Sequence, residues 1–270
     1  MRPARIAELL EPFLSATTNA HHSDSSPSKS DGGMEPLPKP SRGEPAVLSP
    51  PQLLDISTYI DILLRWNARI NLTAIRDPED IVPRHFGESV FAARHLFPDN
   101  ANSAAEQAPE GRKKFEAQAL DDAANAQRLT PAARRTVADV GSGAGFPGLP
   151  LKLWAPQISL TLIESNHKKA TFLREVARAL TLTDVNIQTT RAESLTGTTF
   201  DLVTLRAVEH FEAILPTAAA LVAPGGRLAL LISSAQMESA RTSLHHLSWS
   251  TPIPIPKSKS RVLAIANRQP

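Results

Sequence analysis

Four of the chain's twelve glycines, Gly141, Gly143, Gly145 and Gly148, fall within eight residues, directly after the mostly apolar run Thr136-Val137-Ala138-Asp139-Val140. A strand that feeds a glycine-rich turn narrows the fold sharply. Without Cβ atoms the backbone there can turn tightly, lie close to a ligand and present its N–H groups at the start of a helix. In an α/β sheet, that is where a nucleotide-like cofactor docks.

Apolar periodicity around the turn supports the same architecture. The spacing predicts a strand over 136–140, a helix near 148–154, a strand over 158–163 and a helix over 166–180. Strands over 185–190 and 200–205, a helix over 208–222 and a strand over 227–232 follow, which is a doubly wound α/β pattern. Ser165 is a candidate cap for the helix that carries Phe172, Leu173, Val176, Ala177 and Leu180 on one face, and Lys168, Lys169 and Arg174 point outward.

Upstream, residues 1–16 have helical spacing through Ile6, Leu9, Leu10 and Phe13, with Pro12 expected to interrupt the last turn. Residues 17–51 are rich in Ser, Pro, Gly, Lys and Glu and read as a disordered insertion. Residues 52–97 form an N-terminal helical cap, with apolar positions at Leu53, Ile56, Ile60, Leu63, Leu64 and Trp66 and a further helix start at Asp77-Pro78. Residues 98–135 are a second insertion, polar and alanine-rich, and 136–270 are the cofactor-binding core.

Composition excludes several classes. Hydrophobic residues make up 41% with no run of membrane-spanning length, so a soluble protein is expected. The N-terminus lacks the apolar stretch and cleavage site of a signal peptide, which points to the cytoplasm. With no cysteine there are no disulfides, thiolate nucleophiles or cysteine metal ligands. His245-His246 lacks a third ligand nearby, so no metal is expected. A formal charge of +2 means that any nucleic-acid surface must be a local patch.

The glycines fit two registers. Gly143 to Gly148 matches the G-x-G-x-x-G dinucleotide fingerprint, a weak pattern alone. Asp139 to Gly145 resembles motif I of S-adenosylmethionine (SAM) methyltransferases, in which an acid in the strand precedes the glycines. Phe200-Asp201-Leu202-Val203 and Ala223-Pro224-Gly225-Gly226-Arg227-Leu228 resemble further stretches of those enzymes. The β-like runs Leu244–Ser250 and Arg261–Ala266 suit their closing antiparallel hairpin, and too few residues remain for the second domain of a nicotinamide enzyme. SAM is therefore preferred over NAD.

Arg65-Trp66-Asn67-Ala68-Arg69-Ile70-Asn71-Leu72-Thr73-Ala74-Ile75 and Arg84-His85-Phe86-Gly87-Glu88-Ser89 resemble the N-terminal signature of the RsmG (GidB) family, bacterial 16S rRNA guanine-N7 methyltransferases. The Phe146-Pro147-Gly148 extension, Lys168 to Leu173, Arg191-Ala192-Glu193 and Leu205-Arg206-Ala207 continue the likeness. It covers 53–97 and about 136–232, with a weaker echo at Arg261-Val262-Leu263 and both insertions outside it.

That resemblance implies a Rossmann-like SAM-dependent fold, with 16S rRNA or a small-subunit assembly particle as partner. It implies cofactor contacts at Gly141, Gly143, Gly145, Phe146, Glu164, Ala192, Glu193 and Arg206. Glu164 would accept the ribose hydroxyls, the alternative being a helix-capping acid. Ala192-Glu193 would sit at the adenine, and Phe146 could equally be core. His85 and Arg206 are candidates for the substrate side. Asn71 reads better as a hydrogen bond between cap and sheet, and Trp66 as core. No general base is expected, because guanine N7 is already nucleophilic and the methyl already activated.

One departure stands out. The family usually carries Lys-Gly after the strand over 227–232, where this chain reads Ser233-Ser234-Ala235. Lys257, Lys259 or Arg261 could replace the missing cation. The alternative is a non-catalytic RNA- or ribosome-binding module that keeps the fold.

Overall fold

The computed structural model describes residues 1–15, 47–98, 134–208 and 210–270. Most of the two expected insertions therefore lies outside the described residues. Residues 47–51 do not, and they belong to the cap rather than to an insertion. Leu48 is buried, and Ser49 caps the next helix in a reciprocal capping box with Gln52.

Five parallel strands form the centre of the sheet: β1 (Thr136–Val140), β2 (Ser159–Ile163), β3 (Val185–Gln188), β4 (Phe200–Arg206) and β5 (Val222–Ser233). Their spatial order is β3-β2-β1-β4-β5. The strand β8 (Arg261–Asn267) runs antiparallel beside β5, and the two-residue strands β6 (Ser248–Trp249) and β7 (Ile253–Pro254) pair with β8. The expected closing hairpin is therefore present, but Leu244–Leu247 is a turn. Five residues earlier than expected, β5 opens at Val222, taking in Pro224-Gly225-Gly226 with a register shift against β4.

Period-two alternation divides each central strand between two faces. Val137, Leu160, Leu162 and Leu202 face one core cluster, and Ala138, Val140, Val203 and Leu205 face the other. The first face is covered by α1 (Pro3–Leu14), α2 (Pro50–Asn67), α3 (Pro78–Ile81), a π-helical turn (Val82–Gly87), α4 (Glu88–Leu96), α5 (Gly148–Trp154) and α6 (His167–Ala179). The second is covered by α7 (Phe211–Ala220) and α8 (Gln236–Ser243).

Local chemistry moved several boundaries. Pro12 does not end α1, which runs two residues further because Phe13 and Leu14 are buried. Asn166, not Ser165, caps α6: its side chain accepts from the backbone N–H groups of Lys168 and Lys169. The left-handed His210, φ 54°, delays α7 to Phe211. The polar α8 had no clear apolar stripe in sequence, and it is held through Met237 and Ala240.

Candidate active site

Between β1 and β4 the strand order reverses, and ligands of open α/β sheets bind beyond the carboxyl ends of strands at that point. A cleft of about 720 Å³ lies there. Its walls are the turn after β1, the ends of β2 and β4, the segment around Ala192 and, from the cap, Leu72–Ala74 and His85.

Of the residues expected at a site, Gly141, Gly143, Phe146, Glu164, Ala192, Glu193, Arg206 and His85 line this cleft. Gly145 does not. A Cβ at Gly145 would collide with the Tyr59 hydroxyl and sit 2.7 Å from Leu149 Cδ1, so this glycine faces the core. Gly143 is its opposite. With φ +53° and only the Gly141 carbonyl within 4 Å, it leaves space that a side chain would fill. Glu164, 7% exposed, accepts from the Gly143 N–H at 2.9 Å and the Asn166 N–H at 2.7 Å. Its carboxylate thus fixes the glycine turn and keeps lone pairs over for hydroxyl donors in the cleft.

The turn is pinned from below. Asp139 is fully buried, accepting from Thr204 Oγ1 at 2.8 Å and the Gly148 N–H at 3.3 Å. Burial pushes its carboxyl up to about 7, against the pull of these bonds. Tyr59 Oη donates to the Ala144 carbonyl, and the Tyr59 and Phe146 rings stack with centroids 5.3 Å apart. Phe146 is both core and cleft wall, with His85 stacked on it at 4.8 Å. Trp66 lies against the core and donates to Glu175 of α6.

Beside the cleft, three arginines from separate stretches of chain meet one buried carboxylate. Arg206 donates to Glu88 Oε2 through Nε at 3.3 Å and Nη2 at 3.1 Å. Arg84 pairs with Glu88 Oε1 one turn away. Arg261 Nε lies 3.0 Å from the same oxygen, an ion pair out of line for a hydrogen bond. Burial lowers the Arg206 and Arg261 guanidiniums, Arg261 to about 10, while Glu88 opposes the shift. Of the three cations considered as replacements for the family's missing lysine, Arg261 joins this cluster; Lys257 and Lys259 are exposed and line no part of the cleft.

Asn71 is exposed, so the cap-to-sheet hydrogen bond expected of it is not made; the asparagine that is engaged is Asn67, and its bonds stay within the cap. That side chain accepts from the N–H groups of Leu72 and Thr73 and donates to the Thr73 carbonyl at 2.9 Å. His85 bonds Thr73 Oγ1 through Nε2 at 2.8 Å and Arg206 Nη2 through Nδ1 at 3.1 Å. Burial, then the charge of Arg206, lowers its imidazole to about 3. Two engaged nitrogens and a neutral ring leave it no general-base role. Glu88, Arg84, Thr73 and Asn67 were in view within the signature segments, but only the folding of the π-helical turn against β4 gives them a purpose.

The His85 shift makes a pH prediction. A folded-state value below the ordinary 6.5 means stability that is present above pH 6.5 and lost on acidification toward 3, at about 1.4 kcal/mol per pH unit. Asp139, raised, acts oppositely: its contribution is present in acid and is lost as pH rises toward 7. The difference between wild type and His85→Gln isolates the histidine. In urea unfolding, the variant should lose less stability than wild type between pH 6.5 and 5; parallel losses would show that His85 is protonated in the fold.

A family model described as rRNA small subunit methyltransferase G, GidB, matches residues 52–105 and 108–252. The chain belongs to this family. The match runs through nearly all of 98–135, so that stretch is not outside the family likeness as expected, and it extends past 232 to 252. A ribosomal RNA small subunit methyltransferase G from Halorhodospira halophila is 36% identical over 68% of this chain and 71% of its own length. One from Chloroflexus aggregans is 32% identical over 82% of this chain and 84% of its own. The crystal structure of a ribosomal protein L11 methylase from Lactobacillus delbrueckii subsp. bulgaricus superimposes with a TM-score of 0.44 at 20% identity, covering 52% of this chain and 73% of that one. No described helix is long and apolar enough to cross a membrane.

Proposed function

We propose that this chain transfers a methyl group from SAM to N7 of one guanosine in 16S ribosomal RNA, acting in the cytoplasm on the RNA or on a small-subunit assembly particle. The observation that carries the reading is the Gly143–Glu164 cradle at the strand-order reversal, in a chain of the GidB family.

The residues present fit SAM. The open space over Gly143 suits a close ligand, and Glu164 has acceptor capacity left for the two ribose hydroxyls. Ala192, buried, and Glu193, exposed, border the same cleft and suit an adenine. Bound SAM supplies a methyl already activated on a sulfonium. The chain's own task is then alignment and exclusion of water, since N7 carries a free lone pair and needs no base. Guanine gains positive charge as it is methylated, so a neutral His85 in the cleft wall and a Glu88 carboxylate that offsets the charge of Arg206 behind it ease that charge. Arg84 and Arg261 leave the rim with cations in excess, suited to the phosphates of an unpaired strand.

Mass spectrometry of 16S rRNA from a strain lacking the gene tests the reading: one N7-methylguanosine should disappear and return on complementation. An unchanged pattern overturns it. Calorimetry separates the alternative of a non-catalytic module, which would bind RNA but not SAM. On the same instrument Glu164→Ala should weaken SAM binding by about 1–3 kcal/mol, the scale for stranding polar partners, in a folded protein. Equal affinity would remove Glu164 from the cofactor.

A further inference from the structure

The hydrogen bonds around Thr73 fix the direction of its hydroxyl. Arg206 Nη2 can only donate, so His85 Nδ1, 3.1 Å away, accepts. The neutral ring then carries its proton on Nε2, which donates to Thr73 Oγ1 at 2.8 Å. The Ile75 N–H donates to that same oxygen at 3.1 Å. A hydroxyl has two lone pairs and one proton. Both lone pairs are in use, so the proton is left to donate, and Thr73 lines the cleft. The backbone of Thr73 is also held on both sides, its N–H and carbonyl both bonded to the Asn67 side chain. The hydroxyl is thus left as a donor on a residue of the cleft wall.

We infer that the Thr73 hydroxyl donates to O6 of the target guanine and so selects guanine over adenine. The inference rests on the guanine-N7 reading above. On the base edge that presents N7, guanine carries the acceptor O6 beside it, whereas adenine carries an amino donor. A hydroxyl forced to donate rewards the first and meets the second donor to donor. The Arg206–His85–Thr73 chain is what removes the hydroxyl's usual freedom to act as an acceptor instead.

The test pairs a protein change with a base change. Small subunits are reconstituted with rRNA carrying guanosine, inosine or 2-aminopurine at the methylated position, the last lacking O6 but keeping N7. Wild type should methylate the guanosine and inosine particles comparably and the 2-aminopurine particle about 10–100-fold less efficiently in kcat/KM, the scale of one base-edge contact. Thr73→Val should lose a similar factor on guanosine, with SAM affinity unchanged by calorimetry and Thr73→Ser restoring the rate. On 2-aminopurine Thr73→Val should lose nothing more, because the contact is already gone. Losses that multiply, or wild type that prefers 2-aminopurine to inosine, overturn the assignment, and the wild-type comparison holds even if Thr73→Val does not fold. If wild type fails on guanosine itself, the guanine-N7 reading fails and this inference falls with it.

Discussion

Replacing Glu88 by alanine should destabilise the protein by about 3–5 kcal/mol, the range for removing one partner of a buried ion pair. Glu88 is 2% exposed, and its carboxylate answers Arg84, Arg206 and Arg261 together. Arg206 is itself 8% exposed, with its other polar contacts to the Arg84 carbonyl and His85. Without Glu88 three guanidiniums are left in mutual repulsion, two of them largely buried. Urea unfolding of Glu88→Ala against wild type measures the cost. A loss under about 1 kcal/mol, the ordinary worth of an exposed pair, would mean that the arginines swing out to solvent and that the cluster is not a structural tie.

The two glycines that look alike in the motif should fail in different ways. Gly145→Ala forces a Cβ against Tyr59 and Leu149 at φ +85°. Left-handed backbone costs an L residue about 1–2 kcal/mol and overpacking about 1–3 kcal/mol. A large drop in thermal midpoint is expected. Gly143→Ala carries only the backbone cost, because its methyl group enters open space. It should fold and lose SAM. Thermal unfolding paired with calorimetry decides: a Gly143→Ala that binds SAM like wild type, or a Gly145→Ala that melts like wild type, would reverse the roles.

Much of this was readable from residue order. Strand β1 and helix α5 stand where apolar periodicity put them, and seven of the eight expected cofactor contacts, Gly145 excepted, line the cleft along with His85. What periodicity cannot show is the direction in which a turn residue points. Gly143 and Gly145 are equivalent in the motif, and the packing of Tyr59 from α2 and Leu149 from α5 against the turn separates them. Glu88 was hidden for a similar reason. A carboxylate four residues after an arginine reads as a solvated helix pair, until β4 and β8 bring Arg206 and Arg261 onto it. Asn67 and Asn71 are harder to tell apart, since they lie four residues apart in one signature; Asn67, the last residue of α2, is buried and bonds the chain that follows it, while Asn71 is exposed.

The stacked rings of Tyr59, Phe146 and His85 bear on how such a protein can be taken apart. Two of the three come from chain that precedes the sheet, and the third from the turn after its first strand. The floor of the cleft is thus jointly owned. A fragment beginning at β1 would keep the whole glycine motif and still expose the underside of its own binding loop to water. The cap is for that reason no detachable accessory: in truncation, domain grafting or recombination between relatives, it and the sheet have to be inherited as a matched set.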